Sequence, residues 1–342
     1  MARAMHLGYT FLMDTLAIVG MSVLQIIRGM RESEARIERT TLSSPEGLVS
    51  GVRQAELLGV GMDAAGEHPL CLLAPRGAVR SRSPRAKLMT WTGEIPPDSF
   101  MRMDGLARKA KPGQILVASP ELCALTMARE LDLPQLVLLV SELCGDFSVC
   151  SDGDAFVPRP PISTIERIEG YVRASAGAYA VDHLRRALAW SAGGAFSPME
   201  AIVRVWLCLD VRLGGFGCGR PETNMNVSVG EGYGAGTVDN VVRYLDLGWR
   251  DRFFGVECDG GQHDASSDAF RDIQLGRVGF RERRITWRQM SSYNTACAFG
   301  GLVRQELGLS SRPTDTPAYA GKRLRLWKSL VSSPWAALQM RD

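Results

Sequence analysis

The stretch "VECDGGQHD", Val256–Asp264, sets three carboxylates, two glycines and a histidine at the end of an apolar run. A buried carboxylate is costly unless it is paired, hydrogen-bonded or bound to a metal, so the stretch is either a turn decorated with polar residues or a site. Side chains on a strand alternate between faces. Glu257 and Asp259 should therefore share one face, and Phe254, Val256 and Cys258 the other. The preceding apolar run, "TVDNVVRYLDLGW", carries Asp246 near its end and reads as a second strand of a hairpin turning at Arg250-Asp251. Carboxylates that converge there repel one another, and one stays protonated unless a cation neutralises the group. Hard divalent cations take oxygen ligands, and Mg²⁺ typically uses one or two carboxylates together with substrate phosphate oxygens.

Working outward, "FSPMEAIVRVWLCLDVRLGG" spaces Met199, Ile202, Val203, Trp206 and Leu207 as the apolar face of a helix. "NMNVSV" is a strand, "DAFRDIQLGRVGF" a helix, "RERRITW" a strand and "SYNTACAFGGLVRQELG" a helix. The resulting order is α-β-β-β-α-β-α. Ser197-Pro198-Met199-Glu200 fits a capping box, with Glu200 bonding back to the N-cap amide. "GGFGCG" at 214–219 follows a helix and precedes Pro221, which makes it a glycine-rich turn and not a dinucleotide fingerprint. Walker and Gly-x-Ser-x-Gly sequences are lacking, and no small-molecule cofactor is expected.

In the first half, "PLCLLAPR" and "KLMTWTG" read as strands around a basic loop, "RGAVRSRSPRAK". "GQILVASPELCALTMAREL" is a strand followed by a helix, with Ser119 at the N-cap and Pro120 at the first helical position. "LPQLVLLVSELCG" is a helix stopped by Gly145, and 148–162 reads as a linker rich in Asp, Gly and Pro. "STIERIEGYVRAS" and "AVDHLRRALAWSAGG" are helices. The apolar stretch near the N-terminus is broken by Asp14 and Gln25, and Leu16–Ile27 is shorter than the ~20 residues of a membrane span. It reads as a buried or amphipathic helix.

The expected segmentation is thus an apolar N-terminal segment at 1–30, an α/β domain at 31–147, a linker and helices at 148–194, the acidic domain at 195–308 and a basic, aromatic tail at 309–342. The net charge of +3 does not by itself announce a nucleic-acid partner. Eight scattered cysteines without a CxxC pair argue against structural zinc and for free thiols in a reducing cytoplasm.

Together "SPME", "YLDLGW", "GVECDGGQHD" and "FRDIQLGRVGF" resemble the endonuclease-like domain related to very-short-patch-repair enzymes, the group called domain of unknown function 559, within the PD-(D/E)xK nuclease superfamily. The first half is loosely similar to antitoxin-like regions of abortive-infection systems. The resemblance implies an α/β chain with a restriction-endonuclease-like αβββαβ core, separate from an α/β N-terminal domain. It implies Mg²⁺- or Mn²⁺-dependent hydrolysis of DNA in phage defence or repair, with a homodimer or a cognate toxin or defence partner left open. Asp246 and Glu257 would bind the metal, with the Cys258 carbonyl completing its shell, and Glu200 would orient a metal-bound water. Asp259 stands where the family has lysine, and no lysine occurs between 112 and 321. Gln262 or His263 could orient the water instead, and Arg271 could stabilise the transition state. Arg277, Arg281, Arg283, Arg284 and Arg288 could contact phosphates.

Plainer readings stand beside these roles. Glu200 caps its helix, Asp246 caps a turn, Asp259 receives a turn amide, His263 is a satisfied turn residue, and the arginine runs are solvated charge. A catalytically inactive nucleic-acid-binding or antitoxin-like regulator is the alternative function.

Overall fold

A computed structural model describes residues 15–29, 38–42, 44–45, 48, 69–78, 84–102, 114–150, 155–231, 240–259, 265–310 and 316–336. The chain is mixed α/β and divides into two compact units. One comprises 1–136 with 162–189, and the other 137–161 with 190–342. Among the described residues no helix is long and apolar enough to cross a membrane.

The first unit is built on a six-stranded mixed sheet. Its strands are β1 (Leu16–Ile18), β2 (Glu38–Thr40), β3 (Leu70–Pro75), β4 (Ala86–Trp91), β5 (Phe100–Arg102) and β6 (Ile115–Ala118), in the spatial order β2-β5-β6-β1-β3-β4. β1 runs parallel to β6, and β3 runs parallel to β4. Four helices belong with this sheet: α1 (Gly20–Gly29), α2 (Pro120–Met127), α4 (Ile165–Ala174) and α5 (Val181–Leu188). The expected N-terminal helix is corrected here. Leu16, Ala17 and Ile18 form a buried strand inserted between β6 and β3, and the helix starts only at Gly20. The α2 cap is as read, with the Ser119 side chain accepting from the Leu122 amide.

Helix α3 (Leu133–Leu143) runs across the boundary between units. The expected linker then carries an antiparallel hairpin, β7 (Phe147–Val149) with β8 (Phe156–Pro158). Phe147 and Val149 are fully buried, so this stretch is packed structure in the second unit.

The second unit contains α6 (Pro198–Cys208), β9 (Glu222–Glu231), β10 (Asn240–Trp249), β11 (Phe254–Asp259), α7 (Ala265–Arg277), β12 (Arg281–Thr286), the short α8 (Trp287–Met290), α9 (Tyr293–Glu306) and α10 (Pro317–Val331). Its sheet has the order β12-β11-β10-β9, antiparallel except for the parallel pair β11–β12. The helix read as reaching residue 215 ends at Cys208 instead. The chain then turns back, and the amides of Phe216, Gly217 and Cys218 donate to the carbonyls of Trp206, Leu209 and Leu207. The glycine-rich turn thereby satisfies carbonyls that a helix end otherwise leaves orphaned. A Cβ on Gly215 would lie 2.0 Å from the Leu209 carbonyl oxygen, which explains the glycine.

Trp206 is fully buried, packs edge-on against Phe216 at 5.2 Å, and donates its Nε1–H to the Ala296 carbonyl at 2.9 Å. Burying such a side chain stabilises by about 1.5–3 kcal/mol. Gly248 and Gly255 face each other across β10 and β11. A Cβ there would meet Met225 Sδ at 2.5 Å or Leu245 Cδ1 at 2.5 Å, so the sheet's apolar layer closes over both positions. The basic, aromatic tail is packed structure. Leu326, Leu330 and Trp335 are buried, α10 packs on α6, and the Trp335 indole donates to Glu142 Oε2 at 2.8 Å.

Candidate functional site

Glu200 and Glu257, from two elements of the second unit, each lie within electrostatic reach of Asp246 on a third. Glu200 lies in the first turn of α6, where the Ser197 side chain accepts from the Glu200 amide. Its own Oε2 accepts from the Phe196 amide at 2.9 Å, one residue before the N-cap amide that a capping box would use. The Asn224 side chain is a further hydrogen-bond partner. Asp246 and Glu257 lie on neighbouring strands, whose ladder pairs Leu247 with Val256. Beyond that pair the strands are joined by side chains. The Cys258 amide donates to Asp246 Oδ2 at 2.7 Å, and the Asp246 amide is hydrogen-bonded to the Glu257 carboxylate.

Electrostatics shows that these acids sense one another. Burial, then the Asp246 charge, pushes Glu200 up to about 8. Burial and the Asp246 charge likewise push Glu257 up to about 8, although Arg271 pulls it down. The Cys258 thiol is raised well above its ordinary value by burial and by all three acids. Phe254 and Val256 are wholly buried, while Glu257, Cys258 and Asp259 are half-buried.

Arg271, on α7, has a larger structural role than its position in the sequence suggested. It donates to the Tyr244 carbonyl on β10, to Glu257 Oε1 on β11 and to Glu282 Oε2 on β12. Glu282 also accepts from Arg284 Nε at 2.8 Å, and Arg284 lies 3.7 Å from Asp272. Acids and arginines thus alternate along one line from Glu257 to Asp272. Arg281 and Arg283 both pair with Glu306, while Arg277 and Arg288 are exposed. Gln262 and His263 lie outside the described residues.

Two residues of the site escaped the sequence reading. Glu282 was submerged in a run of arginines. Asn224 binds Glu200 and the Gly194 carbonyl from a left-handed backbone position, φ 50°. Asparagine tolerates that conformation better than most residues, and an Asn inside "NMNVSV" was the signal available.

Among the described residues no group of three or more His, Cys, Asp or Glu side chains is arranged to hold a metal ion. The chemistry of the donors nevertheless suits a hard cation, because all are carboxylate oxygens. Burial first, and the Asp246 charge second, raise two of these acids to about 8. No family model, no curated protein and no solved structure matches the chain.

Proposed function

We propose that the second unit is a metal-dependent phosphodiesterase acting on DNA, with a restriction-endonuclease-like αβββαβ core and a place in cytoplasmic phage defence or repair. The observation that carries this reading is the meeting of Glu200, Asp246 and Glu257, two of them forced toward protonation by burial and by the third. Mg²⁺ or Mn²⁺, when bound there, would polarise a phosphoryl oxygen and make hydroxide available near neutral pH. Asp246 and Glu257 would hold the ion through carboxylate oxygens. Glu200, whose ionised form a bound cation would favour, would accept the proton of the attacking water. Arg271 would let go of Glu257 as the ion arrives and turn its guanidinium to the phosphate, a role open to it because no lysine lies nearby in the sequence.

The test is cleavage of plasmid and short duplexes with Mg²⁺, Mn²⁺ or EDTA. Asp246→Asn and Glu257→Gln are each expected to reduce metal-dependent cutting at least ~100-fold. Cutting that persists in both variants, or that needs no metal, would sink the proposal. One observation favours a second reading: Arg271 already occupies Glu257 as a structural cation. A non-cutting, nucleic-acid-binding regulator would show salt-sensitive binding unchanged by either substitution.

A further inference from the structure

The first unit carries a pocket of about 480 Å³ lined by Arg76, Thr90, Trp91, Thr92, Arg129, Ala178 and Tyr179. Its place follows from the sheet. β3 and β4 run parallel, Arg76 follows the last residue of β3, and Thr92 follows the last residue of β4. The pocket therefore opens beyond the carboxyl ends of two parallel strands, where open α/β sheets bind their ligands. Its volume lies in the range of small-molecule sites.

The lining combines two arginines with two aromatic residues, Trp91 and Tyr179, and among the described residues no acidic side chain lines it. The nearby Glu130 carboxylate is paired with Lys87 at 2.8 Å. Arg129 donates Nη1–H to the Thr90 carbonyl at 3.1 Å, lies 5.1 Å from the Tyr179 ring centroid, and has a buried Nε without an acceptor. Four other arginines share that last property, so the combination carries the argument. Burial lowers the Arg129 pKa, against the pull of Tyr179 and Glu130, which raise it.

Tyr179 is 70 % exposed although it lines a pocket and has Arg129 over its ring, so it stays accessible to a stacking partner. The loop holding it is fixed by Ala178 N–H to Ser175 O and Val181 N–H to Ala178 O. It ends on Ala180 at φ 66°, a conformation that alanine adopts at a cost. Such strain persists where the surrounding structure fixes it and clusters at ligand sites.

We propose that this pocket binds a nucleoside monophosphate, with the phosphate on Arg76 and Arg129, the ribose near the Thr90 and Thr92 hydroxyls, and the base stacked on Tyr179. The two cations select the anion, and the ring selects a flat partner. The test is calorimetric titration of the full chain in EDTA, so that the acidic site of the second unit takes no part. The probes are AMP, GMP, CMP, UMP, adenosine and inorganic phosphate.

At least one of the four monophosphates is expected to bind more tightly than phosphate alone, and adenosine is expected to be far weaker. Arg76→Gln and Arg129→Gln should weaken binding at least about tenfold. Tyr179→Ala should weaken the monophosphate about fivefold or more while leaving inorganic phosphate unchanged. Arg76 and Tyr179 are exposed, so their variants keep the fold and preserve the test if Arg129→Gln unfolds. No heat from any monophosphate up to about 1 mM, binding equal to that of phosphate alone, or affinity untouched by Arg76→Gln and Tyr179→Ala would each overturn the proposal.

Discussion

Glu121 and Glu200 are both almost wholly buried glutamates in the first turn of a helix, and they sit in opposite electrostatic states. Around Glu121 in the first unit, Arg39 donates two hydrogen bonds at 2.8 and 3.1 Å, Ser163 donates one at 2.7 Å, and Arg167 lies 3.3 Å away. Burial pushes its pKa up, but these partners outweigh burial and the net shift is downward. Around Glu200 in the second unit, the donors are neutral and the charge that acts on it is another carboxylate, Asp246, so burial wins. Depth alone does not set the protonation state. A structural acid arrives with its cations, whereas an acid lacking them is poised to take one up.

The sharpest way to break this contrast is to remove a cation from the settled site. Arg39→Ala should cost about 3–5 kcal/mol in denaturant unfolding, because it strips a buried acid of its main partner. Adding Glu121→Gln should recover part of that loss. A negligible effect would mean that Arg167 and solvent suffice.

Glu142 supplies an intermediate case, buried and held by the Trp335 indole and, at 3.1 Å, by the Val149 amide. Trp335→Phe leaves that oxygen without the indole donor and should cost about 1–3 kcal/mol by chemical denaturation.

Acid and base should separate the two units. Glu121 titrates below its ordinary value of 4.5 in the fold, so its contribution is present above 4.5 and is lost as pH falls through the folded value. Glu200 and Glu257 titrate at about 8, so their contribution is full below 4.5 and lost as pH rises through about 8. Hydrogen exchange should show the first unit opening first in acid and the second as pH rises from 4.5 toward about 8. Glu200→Gln with Glu257→Gln should flatten that fall, by about 1 kcal/mol or more. Added Mg²⁺ should raise the melting temperature more at pH 8.5 than at pH 6, and equal shifts at both would count against a cation site. The smallest effect expected is that of Asn224→Gly. It keeps the left-handed backbone but removes one donor to Glu200, so a carbon-13 titration should find Glu200 still higher, with stability down by about 0.5–1.5 kcal/mol.

Much of the second unit was legible because its strands and helices alternate in hydrophobic period and are punctuated by Gly and Pro. Asp246 and Glu257 stood out because carboxylates interrupt strands that are otherwise apolar. The partners of Arg271 were not legible in the sequence. Its three partners lie 27, 14 and 11 residues away on three different strands, and no local pattern joins them. β1 was hidden for a related reason. Three apolar residues followed by a helix fit either period, and the strand is specified by pairing with Ile115–Val117, about a hundred residues later. Trp335 looked like a tail aromatic because its buried acceptor lies 193 residues earlier.

That long reach has a consequence for biosynthesis. Ribosomes deliver chains from the amino end, so the Glu142 carboxylate emerges long before the indole that will bond to it. The hairpin of β7 and β8 must likewise wait for later segments of its own unit, while 162–189 return to complete the earlier one. Neither unit can be finished in strict order of translation. A nascent chain halted near residue 310 would expose the apolar surface that Leu326, Leu330 and Trp335 later cover, and it should be an early substrate for chaperones.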